Sequence, residues 1–280
     1  MMRLAIYADK TSKTLNFYKI QPSAFKQFFC AWLIPVALFT LSCATTTPAN
    51  QKRVPESSVK EQALSKRNMG EAYIMQGNFT AALKELQAAE NLNPKDHITH
   101  NYLGIAYKNK NLTDLAIKHF DAALELNPGY SIARNNLGTV YLDMKKWDEA
   151  ITCFTDVIND ILYTTPHYPM ANLGWAYYNK KDFSTARKYY REALQIKSNF
   201  IIALNGLGQT YMAERKYQDA ADMFERVVKY ETRVPELYFQ LAKAYDLINE
   251  KEKAVKAYLK VVELAPESDM AEEARKLVGQ

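Results

Sequence analysis

The chain has 280 residues, 48% of them hydrophobic and 24% charged, with a formal net charge of +5. That composition supplies enough apolar material for a long core and is that of an ordinary globular chain. The positive excess is no nucleic-acid signature: Arg3, Lys10, Lys13, Lys19 and Lys26 stand against Asp9 alone in residues 1–42, and the rest of the chain is close to neutral.

Residues 1–42 are predicted to be an export signal. Lysines precede the apolar run Phe28 to Leu41, which Pro35 interrupts and which falls short of the roughly 20 residues a membrane-crossing helix needs. Residues 43–57, rich in Thr, Pro, Asn, Gln and Lys, are expected to form a flexible tether. Ser58 and Glu61 then have the spacing of a capping box, so the folded domain, residues 58–280, is predicted to begin at a helix start there.

Beyond Ser58 one pattern recurs six times. Met69-Gly70, Leu103-Gly104, Leu137-Gly138, Leu173-Gly174, Leu207-Gly208 and Leu241-Ala242 follow one another at an even spacing of about 34 residues, lengthened once between the third and fourth units. A tyrosine stands three residues after each small residue (Tyr73, Tyr107, Tyr141, Tyr177, Tyr211, Tyr245), and an alanine nine residues after each tyrosine (Ala82, Ala116, Ala150, Ala186, Ala220, Ala254). Within each unit the apolar positions have helical spacing in two runs, as in Leu103 and Tyr107, then Ala116, Phe120, Ala123 and Leu124. Each unit therefore reads as two amphipathic helices, with units starting near 63, 97, 131, 167, 201 and 235. The small residues admit a close helix crossing, and Phe120, Phe154, Tyr190, Phe224 and Tyr258 are expected to fill the wedge against the next unit. Pro94, Pro128 and Pro266 end second helices. Residues 268–278 predict a further helix with Met270, Ala274, Leu277 and Val278 inward, covering the last apolar face.

Six in-phase units of this length resemble the tetratricopeptide (TPR) repeat, and the resemblance implies an all-α solenoid of six helix-turn-helix repeats with a C-terminal capping helix. The segment Phe39-Thr40-Leu41-Ser42-Cys43 resembles the lipobox of bacterial lipoproteins, although Thr40 stands where that pattern usually has Leu. The resemblance implies cleavage before Cys43, lipid on its sulfur and, with Ala44 following, an outer-membrane anchor with the repeats in the periplasm. Cys153 is then left as a small core residue.

The one longer interval places its extra length in Asn159 to Pro169. The element Leu162-Tyr163-Thr164-Thr165-Pro166 at this junction, in a six-repeat lipoprotein, is similar to the type IV pilus biogenesis and stability lipoproteins (PilF, PilW, Tgl), the pilotins. That resemblance implies a protein that helps an outer-membrane secretin subunit reach its membrane and assemble into a ring. Two alternatives stand beside it: Leu162 and Tyr163 merely pack an interrepeat groove, and the protein is a general periplasmic scaffold recruiting cell-wall enzymes or other envelope complexes.

No phosphate loop, HExxH, CxxC or serine nucleophile elbow is present, so a non-enzymatic protein without cofactor or small-molecule substrate is expected. His97 and His100 share a helix face at a spacing that suits a metal pair, but His119 and His167 are the only other histidines and no cysteine is near; no metal site is expected. A binding surface remains. In TPR proteins the first helices line the concave side, and that mapping exposes Ile98, Asn101, Ile105 and Lys108; Ile132, Asn135, Thr139 and Leu142; Tyr168, Ala171, Trp175 and Tyr178; Ile202, Asn205, Gln209 and Met212, the alternative being that several of them, Ile98, Ile132 and Ile202 above all, pack between neighbouring helices. Amides suit an extended peptide backbone, and Ile, Trp and Tyr suit apolar anchors.

Overall fold

The computed structural model describes residues 56–279, so the signal segment, Cys43 and the tether up to residue 55 lie outside the described residues. Thirteen α-helices and no strand occur among the described residues. Six antiparallel pairs follow in chain order: α1 (Glu56–Met75) with α2 (Phe79–Leu92), α3 (His97–Asn109) with α4 (Thr113–Leu126), and α5 (Ser131–Asp143) with α6 (Trp147–Ile158). Then come α7 (His167–Asn179) with α8 (Phe183–Ile196), α9 (Ile201–Ala213) with α10 (Tyr217–Val228), and α11 (Pro235–Leu247) with α12 (Lys251–Leu264), before the single helix α13 (Asp269–Val278). No helix among the described residues is long and apolar enough to cross a membrane.

The periodic tyrosines mark the turns. Each first helix closes with one residue in the left-handed region, Gly77 in the first pair and then Asn111, Lys145, Lys181, Arg215 and Asn249, all at φ between 59° and 73°. The next residue's N–H donates back to the carbonyl of the repeat tyrosine, for example Leu112 to Tyr107 at 3.0 Å and Lys216 to Tyr211 at 2.8 Å. That six-to-one bond around a left-handed residue is the Schellman closure, and it satisfies a carbonyl the helix end would otherwise leave without a partner. Second helices end as the prolines require, at Leu92, Leu126 and Leu264, two residues before Pro94, Pro128 and Pro266.

Packing follows from the small residues. A Cβ on Gly104 would sit 2.6 Å from Cε1 of Phe120, so the ring lies directly on the backbone of its own pair rather than only in the wedge beyond it. Tyr190 does both. It rests on Gly174 of its own repeat and reaches Gly206 of the following one, where an added Cβ would meet its Cζ at 2.2 Å. Phe120, Phe154, Tyr190, Phe224 and Tyr258 are all fully buried, and the repeat alanines Ala82, Ala116, Ala150, Ala186, Ala220 and Ala254 are at most 1% exposed. Cys153 is buried beside them, and loss of solvent pushes its thiol pKa up to about 11, which keeps it protonated and inert.

Extensive packing is confined to helices adjacent in order or one apart. First helices touch the next first helix, α1 on α3, α3 on α5, α5 on α7 and α7 on α9, whereas second helices make no comparable contact with one another. The first-helix side is therefore the tighter, inner side of the stack. At the C-terminus Ser268 caps α13 through a bond from the Ala271 N–H at 3.1 Å, and Ala271 and Ala274 are fully buried. Met270, Leu277 and Val278 pack beside them; Ala271 was not among the residues expected inward.

One boundary differs from expectation. Helix α1 starts at Glu56, so Ser58 lies in its first turn and accepts from Gln62 Nε2 at 3.4 Å instead of capping a helix that begins after it. An exposed Glu56–Lys60 ion pair at 2.8 Å and the favourable acidic charge at a helix N-terminus extend the helix through a polar stretch that carries no hydrophobic period.

Candidate partner-binding groove

The residues mapped to the inner face divide by burial. Trp175 and Ile132 are open, 38% and 48% exposed. Ile98, Ile105, Lys108, Asn135, Tyr168, Tyr178, Ile202, Gln209 and Met212 are half-buried. Asn101, Thr139, Leu142, Ala171 and Asn205 are buried, and for these the expected exposure is corrected. The cause is the close approach of successive first helices, which draws these five side chains into the packing between neighbours. In that seam Asn136 Nδ2 donates to Asn101 Oδ1 at 2.9 Å, and Lys108 Nζ donates to Thr139 Oγ1 at 2.6 Å. Burial pulls the Lys108 ammonium pKa down, and Asp143, 3.3 Å away, acts against that.

What remains open has a defined shape. Trp175 and Tyr178, one turn apart on α7, stack with ring centroids 5.6 Å apart and planes 11° from parallel, and Phe183 supports Tyr178 from behind at 5.6 Å. Stacking fixes the indole before anything binds, so little side-chain entropy is left to lose. Tyr168 instead packs edge-on against Phe200 at 5.0 Å and belongs with the core around it. Along the seam the buried Oδ1 atoms of Asn135 and Asn205 accept no hydrogen bond among the described residues, which leaves acceptor capacity on the first-helix side.

The junction between α6 and α7 is a second apolar feature. Ile161 is 95% and Leu162 81% exposed, so Leu162 does not fill an interrepeat groove. Tyr163 does turn inward, and burial raises its phenol pKa. Asp160 holds the turn: its Oδ1 accepts from the Leu162 N–H at 2.9 Å, its carbonyl from the Tyr163 N–H at 3.0 Å, and its Oδ2 from Ser131 Oγ at 2.5 Å. Ile161 was missed in the sequence because a single apolar residue in a loop has no periodicity to mark it. His97 and His100, three apart on α3, take different partners: His97 packs edge-on against Tyr130 at 4.8 Å, and His100 pairs with His119.

Comparison with known proteins places this geometry. Profiles described as tetratricopeptide repeat match residues 100–130, 129–199 and 205–269, and one described as TPR repeat matches residues 70–111. The chain is 25% identical over 126 residues to the human intraflagellar transport protein 88 homolog, 43% of this chain and 15% of that protein. It is 32% identical over 56 residues to the uncharacterized protein ycf37 of Pyropia yezoensis, 20% of this chain and 32% of that one. These matches thus span less than a third of the length of the curated relatives. Among solved structures the fold resembles PilW, described as a widely conserved type IV pilus biogenesis factor (TM-score 0.72, 19% identity, 76% of this chain and 98% of that one). It also resembles the pilF protein of Pseudomonas aeruginosa (TM-score 0.70, 19% identity, 78% and 99%). YrrB, described as a TPR protein with an unusual peptide-binding site, aligns at TM-score 0.54 and 20% identity over 68% and 97%. At such identities the likeness is one of fold.

Proposed function

We propose that this chain, a tetratricopeptide-repeat protein and so a module for protein–protein interaction, is a pilotin: a lipid-anchored outer-membrane protein that binds an unassembled secretin subunit on its first-helix face. The observation that carries the binding reading is the exposed, pre-stacked Trp175–Tyr178 pair on the inner side of the stack. The near-complete coverage of PilW and pilF in fold, and an exposed apolar junction where the repeat period breaks, support the narrower assignment. An anchored chaperone needs no chemistry beyond this: apolar anchors hold a segment of the subunit, and a membrane tether keeps the pair near its destination.

Affinity purification of the protein from detergent-solubilised envelopes tests the reading. A secretin subunit should co-purify, and deletion of the gene should leave fewer secretin multimers in the outer membrane. Normal multimers in the deletion strain, with peptidoglycan enzymes in the eluate instead, would replace the pilotin by a general periplasmic scaffold.

The anchor is tested separately. The proposal places lipid on Cys43, so Cys43→Ser should release the protein from the membrane fraction and abolish incorporation of radiolabelled palmitate. Equal membrane retention and labelling in the variant would refute lipidation at this residue.

A further inference from the structure

Glu90, His100 and His119 come from three helices, α2, α3 and α4, and meet between the first and second repeats. His100 Nδ1 faces His119 Nδ1 at 3.2 Å, and Glu90 Oε1 stands 3.7 Å from the first and 3.9 Å from the second. Bonds of about 2.0–2.1 Å to a tetrahedral Zn²⁺ place neighbouring ligand atoms roughly 3.3–3.4 Å apart. The three atoms therefore already outline one face of a tetrahedron, and the carboxylate needs to move by only a few tenths of an ångström. We infer that Glu90, His100 and His119 bind a divalent cation of the zinc class and so clamp the second helix of repeat one to both helices of repeat two.

The surroundings prepare these atoms for ligation. His100 Nε2 lies 2.9 Å from the Pro94 carbonyl oxygen. A carbonyl only accepts, so Nε2 carries the hydrogen and the Nδ1 lone pair points at the cluster, the arrangement by which ligating histidines are oriented from behind. The His119 ring is held between His100, at 5.4 Å, and Tyr107, at 5.2 Å and 17° from parallel. Without a cation His119 Nδ1–H donates to His100 Nδ1; ligation needs that hydrogen to move to Nε2, and no net proton leaves. A hydrogen-bonded histidine pair accounts for the close approach of the two rings. It does not account for a carboxylate at the third vertex, beyond hydrogen-bond distance of both nitrogens. The Glu90 side chain is 29% exposed against 10% and 11% for the two histidines, so the cation enters past the carboxylate and keeps a water in its fourth position.

The test is calorimetric titration of zinc chloride into the chelator-treated full chain, with cobalt(II) as a spectroscopic substitute. One equivalent should bind, and cobalt should give the visible d–d bands of a tetrahedral nitrogen and oxygen site. His100→Gln and His119→Gln should each weaken zinc binding by at least about 100-fold, the upper end of what loss of a second-shell partner costs. His97→Gln, off the cluster, should leave it unchanged. Because a buried histidine variant can also loosen the fold, Glu90→Gln at the partly exposed vertex provides the deciding variant: it should stay folded by circular dichroism and still lose affinity. Absence of stoichiometric uptake by the folded wild-type chain, or uptake that a folded Glu90→Gln chain retains in full, overturns the inference and leaves a hydrogen-bonded histidine pair.

Discussion

Replacing Tyr190 with alanine is expected to destabilise the protein by about 3 to 5 kcal/mol, the range for truncating a fully buried aromatic side chain. The ring is 1% exposed and is the one that lies on a glycine of its own repeat and of the next, so its removal opens both a helix pair and a seam between pairs. Gly206→Ala approaches the same contact from the other side. Alanine is a better helix former than glycine by about 1 kcal/mol, yet here the new Cβ would lie 2.2 Å from Tyr190 Cζ and 2.4 Å from Cε1. Overpacking should win, with a net loss of about 1 to 3 kcal/mol. In the Tyr190→Ala background the clash is gone, and Gly206→Ala should become neutral or stabilising by up to about 1 kcal/mol. Urea unfolding of the four chains, followed by circular dichroism, measures the coupling. Strictly additive effects would mean that the ring does not sit where this packing puts it.

The groove should show its largest effect at Trp175. Trp175→Ala is expected to weaken partner binding by about 2 kcal/mol, roughly 30-fold, as for an aromatic anchor at the centre of an interface. Its 38% exposure means that the fold loses little. Tyr178→Ala should weaken binding as well, but with a cost in stability, because Tyr178 also packs on Phe183 and on the core behind it. The double variant should reach about 2 to 4 kcal/mol. Pull-down or calorimetry with the co-purified partner gives the affinities, and secretin multimers in cells carrying each variant give the consequence. If folded Trp175→Ala binds as tightly as wild type, the contact belongs elsewhere, and Ile161 with Leu162 at the junction becomes the surface to change next.

The architecture was legible because the repeat writes it six times. Unit starts at 97, 131, 167, 201 and 235 coincide with the observed helix starts His97, Ser131, His167, Ile201 and Pro235. The start of α1 was not legible, since residues 56–62 hold a helix by charge and register rather than by an apolar stripe. Which residues lie on the first helices was legible, but their exposure was not. Whether Asn101 or Asn205 faces solvent depends on how closely successive first helices approach, and that distance is set by side chains a full repeat away in the sequence. The cluster of Glu90, His100 and His119 was the least legible. Its members belong to three helices with no shared periodicity, and only the stacking of the second repeat on the first brings them together.

Packing confined to neighbouring helices also sets an order in time. Among the described helices no extensive contact joins ones more than two places apart, so every loop between them is short and the entropic barrier to closing it is low. A chain delivered N-terminus first, from a ribosome or through a translocation pore, need not wait for its last residue. Each pair can be buried as the following pair emerges, and what stays exposed at any moment is one advancing apolar edge, extinguished when α13 arrives.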